Sequence, residues 1–224
     1  MYIDECLKDK ITYCNLHQYL KFEYEVLYST ENAFILKLLK LNIYVVDCIN
    51  SEVEKVKIEL EKYNATFITI WNDKLYQLMK SKFKYSCKCY QAIYTGEKIK
   101  NNGNLMHLKK EDLEYVKITY NKGRDAKEVE EGFKANNLLG YYENDKLIGF
   151  VGRHIEHSIG MLYVKEEFRR KGYGSLILKL AYSFFEDQIP FTQIIVDNIA
   201  SLNLHKKIGC NFGKKYIYWL LNQD

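Results

Sequence analysis

Residues 169–175, Arg-Arg-Lys-Gly-Tyr-Gly-Ser, put three cations and two glycines directly ahead of an apolar helical pattern. Glycine weakens a helix by about 1 kcal/mol relative to alanine, so this spacing must bring a compensating gain. The first turn of a helix carries unpaired backbone N–H groups and a partial positive charge, and both favour an anion. Gly172 and Gly174 remove the Cβ atoms that would hold a bulky anion off those amides. Arg169, Arg170 and Lys171 add a charge that opposes the helix dipole until an anion arrives. The chemistry this points to is docking of a pyrophosphate. Taken by itself the loop has a second reading, a glycine-relieved tight turn with a solvated basic edge. A dinucleotide fingerprint would need a third glycine where Leu176 and Ile177 stand, and the P-loop lysine pattern is absent.

The strand MLYV (161–164) leads into the loop. After it, Leu176, Ile177, Leu180, Ala181, Phe184 and Phe185 recur at helical spacing and define a buried face. Residues 103–224 read in the order β-α-α-β-β-β-α-β-α-β. The elements are a strand LMHL, a helix over 111–120, a helix AKEVEEGFKANN and a hairpin turning at Asn144 and Asp145. A strand IGMLYV, the loop with its helix, a strand QIIVD, a helix ending at Gly209 and a strand KKYIYWLL follow. Residues 1–96 read as a smaller α/β lobe, joined through the polar segment TGEKIKNNGN. In that lobe LHQYLKF and KLYQLMKSKF are helical, while YEVLYS, AFILKLL, NIYVVD, ATFITI and CKCYQAIYT are strands. A further helix has Ser51 and Glu54 as a capping box and turns Val53, Val56 and Leu60 inward. All 12 glycines lie at or after Gly96, so the first lobe has no counterpart of the phosphate loop.

A net charge of +4 suits an anionic small ligand and falls short of a nucleic-acid signature. The start, MYIDECLKDK, has no apolar core of a signal peptide. The run AFILKLLKLNIYVV is interrupted by Lys37 and Lys40 and is too short for a membrane span. Six scattered cysteines, with Cys87-x-Cys89 lacking a second pair, argue against a metal site and for reduced thiols in the cytoplasm.

RRKGYG (169–174) resembles the Arg/Gln-x-x-Gly-x-Gly/Ala pyrophosphate loop of the GNAT acyltransferase superfamily, in the strand-to-helix context that this family uses. Downstream, NIASLNLHKKIGC is similar to its second motif, matched at Asn198, Ser201, Leu204, Lys207 and Gly209. The whole chain, with CYQAIYTG before the linker and YWLL at its end, resembles a bacterial subgroup related to glycine N-acyltransferases. The fold implied over 103–224 is an α/β (α+β) GNAT domain with a mixed central sheet and splayed parallel strands. The α/β lobe at 1–96, without a phosphate loop, would be a degenerate relative of it.

The resemblance implies acetyl-CoA as cosubstrate and coenzyme A as product, lying between the strands MLYV and QIIV. Leu162, Tyr163 and Val164 would meet the pantetheine arm. Arg169, Arg170, Lys171, Gly172, Tyr173, Gly174 and Ser175 would meet the pyrophosphate. Asn198 would cap its helix and reach the cofactor, or serve as a cap alone. The reaction implied is direct attack of an amine on the thioester. An alkylammonium has a pKa near ~10 and must first lose a proton. Glu156, His157 and His154 are the candidate bases, with a solvated hairpin loop as the competing reading, and extended-chain alternation sets His154 and Glu156 on one face. The N–H of Leu162 or Tyr163 would hold the oxyanion. Where the family has a tyrosine that protonates the leaving thiolate, this chain has His205, which could itself donate a proton. Cys210 replaces the family's phenylalanine. The expected activity is N-acetyl transfer to a small primary amine, such as an amino acid or polyamine. The alternative is a catalytically silent acyl-CoA-binding or sensor module, with a dinucleotide-binding oxidoreductase behind both. The expected partners are a small-molecule amine acceptor and a second copy of the chain as a homodimer, with no metal, nucleic acid or membrane.

Overall fold

The structure, a computed structural model, describes residues 1–120, 126–185 and 189–222. It divides into two compact units. The first is Met1–Ala92, Ile194–Ile199 and the chain from Phe212 on; the second is Ile93–Gln193 and Ala200–Asn211. The units thus exchange short stretches late in the chain, whereas the expected bounds of 1–96 and 103–224 follow sequence motifs.

The elements of the first half are α1 (Tyr2–Lys8), α2 (Cys14–Tyr19), β1 (Tyr24–Ser29), β2 (Ala33–Leu38), β3 (Ile43–Cys48), α3 (Val53–Leu60), β4 (Phe67–Ile70), α4 (Asp73–Met79) and β5 (Tyr85–Tyr94). β2 runs antiparallel to β3, and β3 parallel to β4. Side-chain alternation gives this sheet two buried faces. Ile35, Val46 and Ile70 meet Val53, Val56 and Leu60 of α3 and Leu75 and Met79 of α4. Phe34, Leu36, Val45 and Trp71 meet Leu16 and Tyr19 of α2. The inward face expected of α3 is present, but its capping box is not. Asn50–Glu52 form a 3-10 turn, which moves the N-cap to Glu52, whose side chain makes no capping bond. α4 is capped conventionally, Leu75 N–H donating to Asn72 Oδ1 at 2.9 Å. The helix α1 has no counterpart in the sequence expectations.

The second half contributes β6 (Leu105–His107), α5 (Leu113–Tyr120), α6 (Ala126–Lys134), β7 (Leu138–Glu143), β8 (Lys146–Arg153), β9 (Ile159–Val164), α7 (Tyr173–Phe184), β10 (Phe191–Ile195), α8 (Ile199–Lys207) and β11 (Cys210–Leu221). That is the order expected for 103–224. β6, β7, β8 and β9 form an antiparallel sheet in sequence order. Its central hairpin turns on Asn144 and Asp145, with φ of 49° and 60°, the paired left-handed geometry that matches strand twist. Val116 of α5 and Val129 of α6 bury one face of this sheet with Leu138, Phe150 and Met161. α7 covers the other face, where a side chain at Gly149 would stand 3.0 Å from Ile177 Cδ1.

β10 does not join β9. It is the edge of a seven-stranded sheet ordered β1-β2-β3-β4-β11-β5-β10, so the two strands expected to splay are edge strands of different sheets. The architecture is mixed α/β, with parallel and antiparallel pairs in one sheet and a second, antiparallel sheet beside α5, α6 and α7.

Candidate active site

α7 begins where the glycine loop predicts. Gly172 is its N-cap, at φ 90° and ψ −10°. A Cβ there would meet nothing within 4 Å, so glycine is required by backbone conformation and not by crowding. Gly174 is a different case, with ordinary helical backbone. Its added Cβ would lie 3.7 Å from Leu204 Cδ2 of α8 and 4.0 Å from Val164 Cγ2 of β9. The bare Cα at 174 therefore faces the gap between the end of β9 and α8. Among the described residues the N–H groups of Gly172, Tyr173, Gly174 and Ser175 have no acceptor; the first helical bond runs from Leu176 N–H to Gly172 O at 3.2 Å. Four unpaired amides on a left-handed entry form a cradle of the kind that binds phosphate oxygens.

The three cations are not equivalent. Arg169 turns back to β9, its Nε–H donating to Val164 O at 2.9 Å and its Nη1–H to Glu166 Oε1 at 3.2 Å, with the guanidinium 5.1 Å from the Tyr163 ring. It closes the end of the strand before it can serve an anion. Arg170, at φ 63°, is exposed and has no ion-pair partner among the described residues. Lys171 lies 5.6 Å from the centre of the Phe168 ring. Tyr173 donates its hydroxyl to Glu143 at 2.8 Å, which raises its pKa and directs that ring to β7.

Among the described residues β9 is paired on one side only. Its register with β8 slips between Phe150 and Gly152, where Met161 and Leu162 stand opposite Val151, and Met161 takes φ 51°. Such a bulge leaves backbone groups outside the ladder. Leu162, Tyr163 and Val164 therefore follow an irregular edge that runs straight into the amide cradle.

His205 is 4% exposed on α8. Its Nδ1–H donates to Ser201 O at 2.8 Å, and Nε2 is buried without a partner among the described residues. Burial lowers its pKa against the pull of the Ser201 carbonyl. A neutral ring with its proton on Nδ1 offers an acceptor at Nε2, so the expected proton donation to a thiolate gives way to hydrogen-bond acceptance. Asn198 precedes α8 and bonds Ile195 O through its N–H at 2.9 Å. It falls in the 194–199 stretch that clusters with the first unit.

Glu156 is 2% exposed, so it is no solvated loop residue. The Ser158 hydroxyl donates to it, and burial pushes its pKa up even though His154 pulls the other way. The segment is a tight turn and not an extended strand: His154 N–H donates to Ser158 O, and His157 N–H to His154 O, each at 2.9 Å. Alternation therefore does not govern it, yet the charges of His154 and Glu156 still face one another. His157 has a left-handed backbone at φ 73°.

The acetyltransferase (GNAT) family profile matches residues 104–210, the stretch that holds the cradle, β9 and α8. Over that stretch the chain is similar to the GNAT acetyltransferase family. Solved structures extend the likeness in fold to nearly the whole chain. A GCN5-related N-acetyltransferase from Kribbella flavida is 9% identical with a TM-score of 0.55, over 96% of this chain and 95% of that one. An acetyltransferase of the GNAT family from Colwellia psychrerythraea is 11% identical with a TM-score of 0.54, over 90% and 86%. A Drosophila protein is 16% identical with a TM-score of 0.62, over 84% and 74%. No curated protein sequence matches.

Among the described residues no helix is long and apolar enough to cross a membrane, and no cluster of three or more His, Cys, Asp or Glu could hold a metal ion. Two residues of the domain escaped the sequence reading. Glu128 of α6 bonds His154, and Gly160 of β9 makes room for its ring. Neither belongs to a motif; only the packing of α6 on the sheet brings them together.

Proposed function

We propose that the protein transfers an acetyl group from acetyl-CoA to the primary amine of a small molecule by direct attack on the thioester. The observation that carries this is the row of four unpaired amides at the start of α7, continuous with the irregular open edge of β9. The amides of Gly172, Tyr173, Gly174 and Ser175 would hold the pyrophosphate, with Arg170 and Lys171 adding charge and Arg169 fixing the end of β9. The backbone of Leu162, Tyr163 and Val164 would pair with the pantetheine amides in the manner of an added strand. When bound, acetyl-CoA supplies a thioester carbonyl; the amide C–N bond forms at its carbon, the C–S bond breaks and a free thiol is released. The Leu162 or Tyr163 N–H would stabilise developing charge on the carbonyl oxygen. His205 Nε2 offers a buried acceptor on the α8 side. The glycine N-acyltransferase-like subgroup, resting on CYQAIYTG and YWLL, directs attention to amino-acid acceptors. Six free cysteines support a reducing, cytoplasmic setting.

The test is a panel of small amines assayed with acetyl-CoA for thiol release. Release that requires both an amine and the cradle, and is lost in Gly174→Glu, is the expected result. Coenzyme A binding without release for any amine would instead mark a silent acyl-CoA-binding module.

A further inference from the structure

The transfer proposed above needs a group that removes a proton from the acceptor's ammonium. His154, directly after β8, is held at Nδ1 by Glu128 Oε1 of α6 at 2.6 Å. Its other nitrogen, Nε2, lies against the backbone of Gly160 in β9. A β-carbon built at 160 would overlap Nε2 and stand 2.8 Å from Cδ2, so a glycine is what lets the ring rest on the strand. Gly160 is the register partner of Gly152, whose own missing side chain would meet Leu138 Cδ2 at 2.6 Å and Met161 Sδ at 3.0 Å. Both glycines therefore open on the face covered by α5 and α6.

The direction of β9 places this ring at the reacting end. The cradle lies beyond the C-terminal end of the strand, so an acyl-CoA with its pyrophosphate there runs back toward the bulge at Met161 and Leu162. Gly160 is two residues before Leu162, about 7 Å along an extended strand. That span suits an amine nitrogen between ring and carbonyl. The His154 side chain is 23% exposed, and Nε2 has no hydrogen-bond partner among the described residues. One nitrogen tied to a carboxylate and the other open is the arrangement that orients a histidine as a base.

We propose that His154 accepts the acceptor's proton at Nε2, with Glu128 as its positioning carboxylate and Gly160 as the gap that admits the ring. This rests on the acyl-transfer reading above. The ammonium N–H bond breaks, its electron pair stays on nitrogen for attack, and the proton forms the new Nε2–H bond of an imidazolium. Two carboxyls face that imidazolium, Glu128 from α6 and Glu156 from its own turn, and β9 contributes only Gly160. The His157 N–H donates to the His154 carbonyl at 2.9 Å. Burial acts to lower the His154 pKa, but the bond to Glu128 and the charges of Glu156 and Glu128 outweigh it and raise it to about 9. A base in that range is matched to an alkylammonium of pKa ~10.

The test reads the ring before any acyl transfer. Imidazole resonances followed by NMR in the cofactor-free protein should place His154 near 9, and Glu128→Gln should bring it down toward the ordinary 6.5. A His154 titration that Glu128→Gln leaves unmoved overturns the assignment of Glu128 as its positioning carboxylate. In kinetics, Glu128→Gln should move the rising limb of the kcat/KM pH profile to lower pH; a uniform loss with the limb unmoved means a merely structural contact and also overturns it. His154→Gln should keep parent-like coenzyme A binding by calorimetry and lose roughly 10²–10⁴-fold in kcat, and an unchanged kcat contradicts the assignment. Failure of the parent to bind coenzyme A would remove the acyl-transfer reading instead, leaving the ring titration to be judged separately.

Discussion

Two carboxylate clusters, one in each unit, are built from similar groups and differ in what they leave unpaired. In the first unit Asp47 is fully buried on β3. Its Oδ1 accepts Cys48 N–H at 2.9 Å, and its Oδ2 accepts the Tyr13 hydroxyl at 2.6 Å, Lys215 Nζ at 3.0 Å and, more weakly, the Tyr2 hydroxyl at 3.4 Å. Burial and the Asp47 charge push both phenols far above their ordinary range, so they remain neutral donors. Both carboxylate oxygens accept hydrogen bonds, and the cluster ties α1 and the segment before α2 to the sheet. In the second unit Glu128 and His154 meet at 2.6 Å, but Nε2 stays open beside a strand that glycine has stripped of its side chain. A saturated cluster holds elements together. An unsaturated one, with access built into the neighbouring backbone, has an atom to give to a ligand.

Substitutions can break that contrast, and the largest effect belongs to the saturated side. Asp47→Ala leaves Lys215 and two phenols without their acceptor and should cost about 3–5 kcal/mol in a urea melt, while the activity of the folded fraction is unchanged. His154→Gln should do the converse, losing most of the acetyl transfer, with a stability change below about 1 kcal/mol in melts run above about pH 9, where the His154 charge no longer contributes. A large stability loss with His154→Gln would erase the distinction between the clusters.

Smaller effects sharpen it. His154 titrates above its ordinary value in the folded protein, so its contribution to stability is fully present below about 6.5 and is lost as pH rises through about 9. Denaturation midpoints followed between those values should fall in the parent, and Glu128→Gln should flatten the fall. Gly172→Ala forces a side chain into a left-handed backbone and should cost roughly 1–2 kcal/mol, together with weaker coenzyme A binding. Gly174→Ala has room in the substrate-free protein, since its nearest neighbours lie at 3.7 Å and 4.0 Å. Its stability should change by less than about 0.5 kcal/mol, so any loss it shows in coenzyme A affinity reports the ligand directly.

The parts of this molecule that were readable from sequence are those whose causes are local. The Asn144-Asp145 turn, the inward stripe of α3 and the glycine-marked start of α7 each depend on residues within one turn or strand of each other. The parts that were not readable depend on tertiary contact. Ser51 and Glu54 have capping-box spacing, but a 3-10 turn at Asn50–Glu52 displaces the helix start. Arg169 looked like a phosphate ligand, yet the free carbonyl at the end of β9 takes its guanidinium. Of the loop His154–Ser158 the sequence shows two histidines and a glutamate near a strand; it does not show that Glu128, 26 positions earlier, lies at bonding distance. Gly160 carries no signal at all until the ring resting on it is seen. His205 was found as a departure from a motif, but its protonation could only be read from the Ser201 carbonyl against Nδ1.

The most direct measurement is a pair of backbone amide spectra of the labelled protein, one with and one without coenzyme A. Displaced resonances should centre on Gly172, Tyr173, Gly174 and Ser175 and extend along Leu162–Val164, and Gly174→Glu should abolish the displacement. Saturating ligand that moves other amides while those of residues 172–175 stay in place would contradict phosphate docking at the head of α7, and with it the acetyl-transfer reading.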